Sequence, residues 1–410
     1  MSAIYWSSLA FVRRSIGRGG VTVLPALGGS DLEAVSTGWL NQLDSGSKLC
    51  SNRVMRWEEQ RVDAGRVGEL PLGLPEPVRG SGRAGLRLPE PVPIEAGTED
   101  AFAIEIEAKS IINRVQGESR MPFGWTVNPY RGCTHSCIYC YARATHTYLD
   151  LDSGRDFDSK IVVKVNAPAL LRKELASPRW VGEPIAMGTN TDPYQRAEGR
   201  YGLMPEIIAA LRDRANPFSI LTKGTLILRD LELIAQAAEV APVSVAVSVG
   251  SVDEVLWREV EPGTPSPLRR LDVVRRFAKV GVGCSVMMAP ILPGLSDSPE
   301  QIDATVAAVA EAGAVSVSPI VLHLRSGARE WFHRWLSTRR SDLLPLYERL
   351  YRNGAYTPKS YQRQVVDLVE QAKRRHGLAP PQRQRNFRIQ QHDPPQSDAD
   401  RDRERQLTLL

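Results

Sequence analysis

The chain has 410 residues, 42% hydrophobic and 24% charged, with 52 Lys or Arg against 47 Asp or Glu. That balance belongs to a globular protein with room for a large core and excludes a chain kept unfolded by its own charge. No run approaches the ~18 consecutive apolar residues of a membrane span, and the N-terminus lacks the order of a secretory signal, so the expected location is cytoplasmic. Of the net charge of +5, residues 371–410 carry +4, as nine Lys or Arg against five Asp or Glu. The remainder is nearly neutral, so net charge does not demonstrate a nucleic-acid face.

In chain order, the first hundred residues hold 14 of the 32 glycines, and a Pro-rich run covers 71–93. The expectation is a disordered extension over 1–54, then a mostly irregular segment over 55–107 that includes an extended linker at 69–97. Met55 is a second candidate translation start beside Met1. From 108 to 340, apolar strands alternate with helical patterns. Strands are predicted at 124–127, 161–165, 184–187, 218–221, 243–249, 284–288 and 315–322, and helices at 168–176, 204–214, 229–240, 267–280 and 299–312. Asn166 precedes a helix with Pro168 in its first turn, and Ser298-Pro299-Glu300-Gln301 reads as an N-cap with a capping-box Gln. Such alternation implies a parallel sheet with right-handed crossovers. About six βα units in series fall short of the ~250 residues of an eightfold barrel, so the fold class is α/β, a partial (β/α)6 TIM-like barrel. Two amphipathic helices at 342–351 and 361–374 form a C-terminal segment over 341–378, and 379–410 reads as a disordered Gln/Arg/Asp-rich tail.

The most specific feature is the run from Asn128 to Tyr141, which places Cys133, Cys137 and Cys140 within eight residues. The other cysteines, Cys50 and Cys284, lie far apart, which suits a reducing compartment where thiolates serve metals. Three thiolates on one loop can hold three corners of a cubane iron–sulfur cluster and leave the fourth iron without a protein ligand. The alternative is a zinc site completed by His135 or His146, although no second cysteine pair exists. Other positions have ordinary readings beside functional ones. Met287 and Met288 suit core filling. Arg325, after the last strand, would meet an anionic substrate or a neighbouring carboxylate. Trp331, Phe332 and Trp335 have the spacing of a helix face against the barrel.

The Cys-x3-Cys-x2-Cys pattern, with Tyr139 before the last cysteine, resembles the signature of the radical S-adenosylmethionine (radical SAM) superfamily. Asn128-Pro129-Tyr130-Arg131-Gly132-Cys133, Thr189-Asn190-Thr191-Asp192-Pro193-Tyr194-Gln195, Thr222-Lys223 and Glu261-Pro262-Gly263-Thr264-Pro265-Ser266 resemble the spore photoproduct lyase, or DNA-repair-photolyase-like, branch. The likeness spans roughly 108–375. It implies a radical SAM core with the cluster loop after the first strand, and a 4Fe–4S cluster on Cys133, Cys137 and Cys140. S-adenosylmethionine would chelate the open iron, an electron donor of flavodoxin or ferredoxin type would reduce the cluster, and a 5′-deoxyadenosyl radical would abstract hydrogen from substrate. It also implies cofactor-binding roles for Tyr139, Thr189, Asn190, Thr191, Asp192, Lys223 and Ser248, with Lys223 on the methionyl carboxylate. For residues 189–192 an Asn/Asp turn is the plain alternative, and for Ser248 a satisfied core hydroxyl.

The enzyme class implied is a lyase or transferase, and no catalytic residue is assigned. Branch resemblance places a nucleic acid substrate slightly ahead of a peptide or small metabolite. The lyase's hydrogen-donating cysteine is missing: its place reads Gly188-Thr189-Asn190, and no cysteine lies between Cys140 and Cys284. The cluster half of the resemblance therefore carries over and the substrate half does not. The competing function is a non-catalytic zinc or iron–sulfur binding module.

Overall fold

The computed structural model describes residues 92–93, 101–115 and 123–378. The extension at 1–54, most of the linker, the tail at 379–410 and Cys50 lie outside the described residues. Eleven strands are present: β1 (Val92–Pro93), β2 (Phe102–Ile106), β3 (Ile112–Arg114), β4 (Trp125–Val127), β5 (Tyr130–Arg131), β6 (Lys160–Lys164), β7 (Ile185–Met187), β8 (Phe218–Thr222), β9 (Val243–Ser248), β10 (Cys284–Ile291) and β11 (Val317–Val321).

Six of them, β4-β7-β8-β9-β10-β11, pair in that order and always in parallel. β3 adds an antiparallel edge beside β4. β4 and β11 do not pair, so the barrel stays open. The strands are apolar because both faces are covered, as parallel sheets require. Val245 and Val247 of β9 and Val286 and Met288 of β10 are fully buried in one core with Phe277, Val306 and Val369 of the outer helices. C-terminal helix Lys359–Arg375 lies on helix Pro299–Glu311 through Val365, Val369 and Ala372, as its amphipathic pattern predicted.

Helix starts follow local chemistry. Ser266 accepts from the Arg269 amide, and Ser298 from the Gln301 amide at 3.2 Å, each with Pro in the first turn. The capping box expected at Ser298 is only half formed, because the Gln301 side chain donates instead to the Leu295 carbonyl at 2.9 Å. Asn166 does not cap its helix either; its amide bridges the Ala108 backbone, both contacts being 2.9 Å.

The strand predicted at 161–165 forms, but in a second sheet of order β1-β2-β6-β5. β2 lies within the segment expected to be mostly irregular, and pairs in parallel with β6. This small sheet flanks the loop that leaves β4, and that loop carries the three cysteines. Among the described residues, no helix is long and apolar enough to cross a membrane.

Candidate functional site

The cysteine loop is shaped first by its own backbone. The amides of Ser136, Cys140 and Arg143 donate to the carbonyls of Cys133, Cys137 and Cys140 at 3.3, 3.2 and 3.3 Å, so each cysteine closes a tight turn. Ser136 takes a left-handed φ of 52° to allow this. Cys133 and Cys137 are buried and Cys140 is half-buried. Burial pushes the Cys137 thiol up to about 12, with Lys223 opposing and Glu261 adding to it. Burial, then Asp192 and the other two thiols, raise Cys133 well above the ordinary thiol range. Burial also raises Cys140, against the pull of Arg143. Three thiols so placed do not ionise together unaided, but a bound metal centre supplies the charge that deprotonates them.

Three thiols on one loop have the chemistry of a metal–sulfur site, but among the described residues no three Cys, His, Asp or Glu side chains are gathered into a ready metal-ligating group. Nearby histidines are engaged elsewhere: His135 Nδ1 lies 3.4 Å from Asp192 Oδ2, and His146 Nε2 meets the Lys160 carbonyl at 3.0 Å. Cys284 opens β10 at the end of the sheet away from this loop, where burial raises its pKa to about 12.

Three braces hold the loop to the barrel. In the first, the Ile138 amide donates to the Val260 carbonyl and the Gly263 amide to the His135 carbonyl, both at 3.1 Å. A Cβ on Gly263 would sit 2.2 Å from the Thr134 carbonyl oxygen, so only glycine permits this approach. The Tyr139 hydroxyl donates to Glu261, and Arg270 bridges that carboxylate to the Ser248 carbonyl. Burial works against the Glu261 charge, but Arg270, Lys223 and Tyr139 outweigh it and hold its pKa below the usual carboxylate range. In the second brace, Gln195 accepts from the Thr134 amide at 3.0 Å and donates to the Gly132 carbonyl at 3.0 Å.

Arg143 is the third brace. It is fully buried and donates to the carbonyls of Cys137 and Gly154 and to both oxygens of Asp158. Its guanidinium also packs against the rings of Phe157 and Trp331, 5.2 and 5.0 Å from their centroids. Trp331 thus ties helix Ala328–Arg339 to the loop. Phe332 of the same helix is buried against Trp335 and Tyr347, in agreement with the helix-face reading.

The residues expected to bind cofactor converge here, at the C-terminal ends of β7, β8 and β9. They differ in freedom. Thr191 Oγ1 donates to the Gly132 carbonyl at 2.7 Å. Asp192 accepts from Thr222 Oγ1 at 2.6 Å, the Lys223 amide at 2.7 Å and the Tyr194 amide at 2.9 Å. Burial opposes the Asp192 charge, but His135 and these donors outweigh it and hold its pKa at about 2. The Ser248 hydroxyl donates to the Ala289 carbonyl at 2.8 Å. Thr189 pairs with Asn128 at 3.3 Å, and its carbonyl accepts from the Tyr141 hydroxyl. Asn190 is exposed. Lys223 Nζ has no anionic partner within ion-pair distance among the described residues and lies 5.7 Å from the Tyr139 ring centroid. Burial disfavours its charge, but Cys137 and Glu261 raise its pKa overall. Of the seven, Asn190 and Lys223 keep uncommitted polar ends.

Glu261, Arg270, Gln195 and Arg143 were not singled out as site residues from sequence, and His135 was considered only as a zinc ligand. The quoted Glu261-Pro262-Gly263 and Pro193-Tyr194-Gln195 segments were the available signal for two of them. Across the mouth, His323 stacks with Tyr356 and tilts against Tyr141, both at 5.6 Å between centroids. Burial and then Arg325 lower the His323 pKa to about 4, so the ring is neutral at pH 7. Arg325 donates to the Tyr356 hydroxyl at 3.0 Å and forms no ion pair among the described residues. Tyr141 and Tyr356 are 40% and 49% exposed, so each has ring surface open to solvent.

Comparison with known proteins agrees with this geometry. The Radical SAM superfamily profile matches residues 127–307. An uncharacterized protein of Mycobacterium tuberculosis (strain ATCC 25618 / H37Rv) is 51% identical over 265 residues, 65% of this chain and 78% of the relative. An uncharacterized protein of Methanocaldococcus jannaschii is 29% identical over 196 residues, 47% of this chain and 69% of the relative. Spore photoproduct lyase complexed with dinucleoside spore photoproduct superimposes with a TM-score of 0.52 at 16% identity, covering 68% of this chain and 80% of that one. A double mutant of the lyase with bound AdoMet and dinucleoside spore photoproduct gives 0.51 at 16% identity, covering 68% and 79%. At such identities the likeness establishes the fold.

Proposed function

The chain belongs to the radical SAM superfamily, which uses a 4Fe–4S cluster and S-adenosylmethionine, and on that premise we propose that Cys133, Cys137 and Cys140 are the protein ligands of the cluster. When bound, the two cofactors supply a one-electron cleavage of the sulfonium that yields a 5′-deoxyadenosyl radical for hydrogen abstraction. The observation that carries this reading is the trio of thiols on one braced loop, two buried and one half-buried, with Lys223 beside two of them. Lys223 is positioned to take the methionyl carboxylate, and Asn190 offers a free amide. Tyr139, fixed by Glu261, walls the site, and Thr189 and Ser248 border it. Thr191 and Asp192 act through the loops they tie together, holding strand ends rather than touching cofactor.

For the substrate we favour a nucleic acid over a peptide or metabolite. The Tyr141, His323 and Tyr356 rings offer stacking surface for a base, and Arg325 has no carboxylate to neutralise it. The fold neighbour that binds a dinucleoside lends support by analogy of fold. The reaction is of lyase or transferase class, the reductant a flavodoxin or ferredoxin type protein, and the compartment the reducing cytoplasm.

The test is anaerobic reconstitution. Wild type should bind about four irons per chain, show a 4Fe–4S signal by electron paramagnetic resonance, and release 5′-deoxyadenosine from S-adenosylmethionine with a reductant. Cys137→Ala should lose both cluster and cleavage. Colourless, zinc-loaded wild-type protein without turnover would instead establish the non-catalytic binding module.

A further inference from the structure

The small sheet beside the barrel holds two cations that the cysteine site does not use. β5 and β6 run antiparallel, with Arg131 opposite Val162, and the Lys164 amide donates to the Pro129 carbonyl at 3.0 Å. Arg131 and Lys164 are therefore diagonal neighbours on one face, within reach of each other's long side chains. On that face Ile104, Ile106 and Val162 pack against Leu149 and Leu151, and Lys160, two residues before Val162, is already paired with Asp156 at 2.9 Å.

Among the described residues neither cation has an ion-pair partner: Lys164 is only 7% exposed, and neither its ammonium nor the Arg131 guanidinium makes a hydrogen bond or ion pair there. Glu174, whose field reaches Lys164, gives one oxygen to the Ile111 amide at 3.0 Å and the other to the Ile112 amide at 2.8 Å. Burial and then Arg131 bring the Lys164 pKa down to about 7, against the pull of Glu174. The buried His146 adds no donor to this pair, because its Nε2 donates to the Lys160 carbonyl and burial keeps the ring neutral. Removing an unpaired ammonium from water costs several kcal/mol, and a second cation beside it adds repulsion. The arrangement is balanced when an anion arrives from outside.

We propose that Arg131 and Lys164 form a binding niche for a phosphate-type oxyanion, either free phosphate or a phosphate of a nucleotide chain. Arg131 supplies a planar fork and Lys164 a compact charge, and the apolar surround strengthens both contacts. The niche does not depend on the cluster, so its occupancy can be read without S-adenosylmethionine.

Full-length protein is titrated separately with inorganic phosphate and with a short single-stranded oligonucleotide, by calorimetry and by thermal shift. Saturable binding of at least one probe is expected, with Lys164→Met and Arg131→Met each weakening it about tenfold or more. Saturation by inorganic phosphate assigns the niche to the free ion, and saturation by the oligonucleotide alone assigns it to a nucleotide chain. Lys164→Met has a second signature. It keeps the volume of the stem and removes the unpaired charge, so it should raise the melting temperature without anion and leave iron content unchanged. A lysine kept only for folding would do the opposite. Failure of both probes to saturate, unchanged affinity in the two variants, or a lowered melting temperature for anion-free Lys164→Met overturns the proposal.

Discussion

Around Cys133, Cys137 and Cys140 nearly every polar side chain has a protein partner, whereas across the mouth Tyr141, His323, Tyr356 and Arg325 leave rings and charge open to solvent. The first region is held by the three braces of Arg143, Gln195 and Glu261, with Asp192 facing His135 beside them. The second is held by ring contacts and one hydrogen bond from Arg325. A loop that must present three thiolates in one geometry gains from fixed neighbours. A surface that must admit a large partner gains from rings whose faces are not already covered. The contrast separates a part of the mouth set during folding from a part completed by what binds.

Breaking the strongest brace should show the contrast most clearly. Arg143→Met strands the half-buried Asp158 and the Cys137 and Gly154 carbonyls, so we expect a loss of about 3 kcal/mol and poor iron incorporation. Chemical denaturation with iron analysis checks this, and an unchanged midpoint would mean that the brace is decorative.

A smaller effect should follow at Asp192. Its folded pKa of about 2 lies below an ordinary ~3.9, so its contribution is complete above the unfolded value and fades as pH falls towards 2. Asp192→Asn should therefore cost about 2 kcal/mol at pH 7, with the two proteins converging in stability in acid. Parallel stability curves across that window would show that the carboxylate is not the source.

The least stability change belongs to the open region. Tyr356→Ala should alter stability by no more than about 1 kcal/mol, yet weaken substrate or oligonucleotide binding. A stability loss as large as that of Arg143→Met would erase the distinction between the two regions.

Much of the barrel was legible because its signals are local. Apolar runs bounded by Gly, Asn and Pro gave six strands in the right order, and Ser266 and Ser298 each stand directly before a Pro at the start of a helix. The small sheet was not legible. β1 and β5 have two residues each, and β6 resembles a barrel strand until its partners β2 and β5 are known. At the site, cysteine spacing marked the loop proposed to hold the cluster. Nothing nearby in sequence tells Glu261 that it will meet Arg270 and Tyr139 in the interior, because that pairing joins separate βα units. Thr191 and Asp192 were expected beside the cofactor, and only the fold shows that their side chains also tie Gly132 and Lys223 to their own strand end.

Sequence alone determined that three cysteines would share one loop and that a parallel sheet would present it, because cysteine spacing and hydrophobic period act over a few residues. Tertiary structure decided which polar groups were left over to do chemistry. Whether a Lys, an Asp or a Ser is spent depends on partners delivered by distant strands, as Lys223, Asp192 and Ser248 show at three neighbouring strand ends.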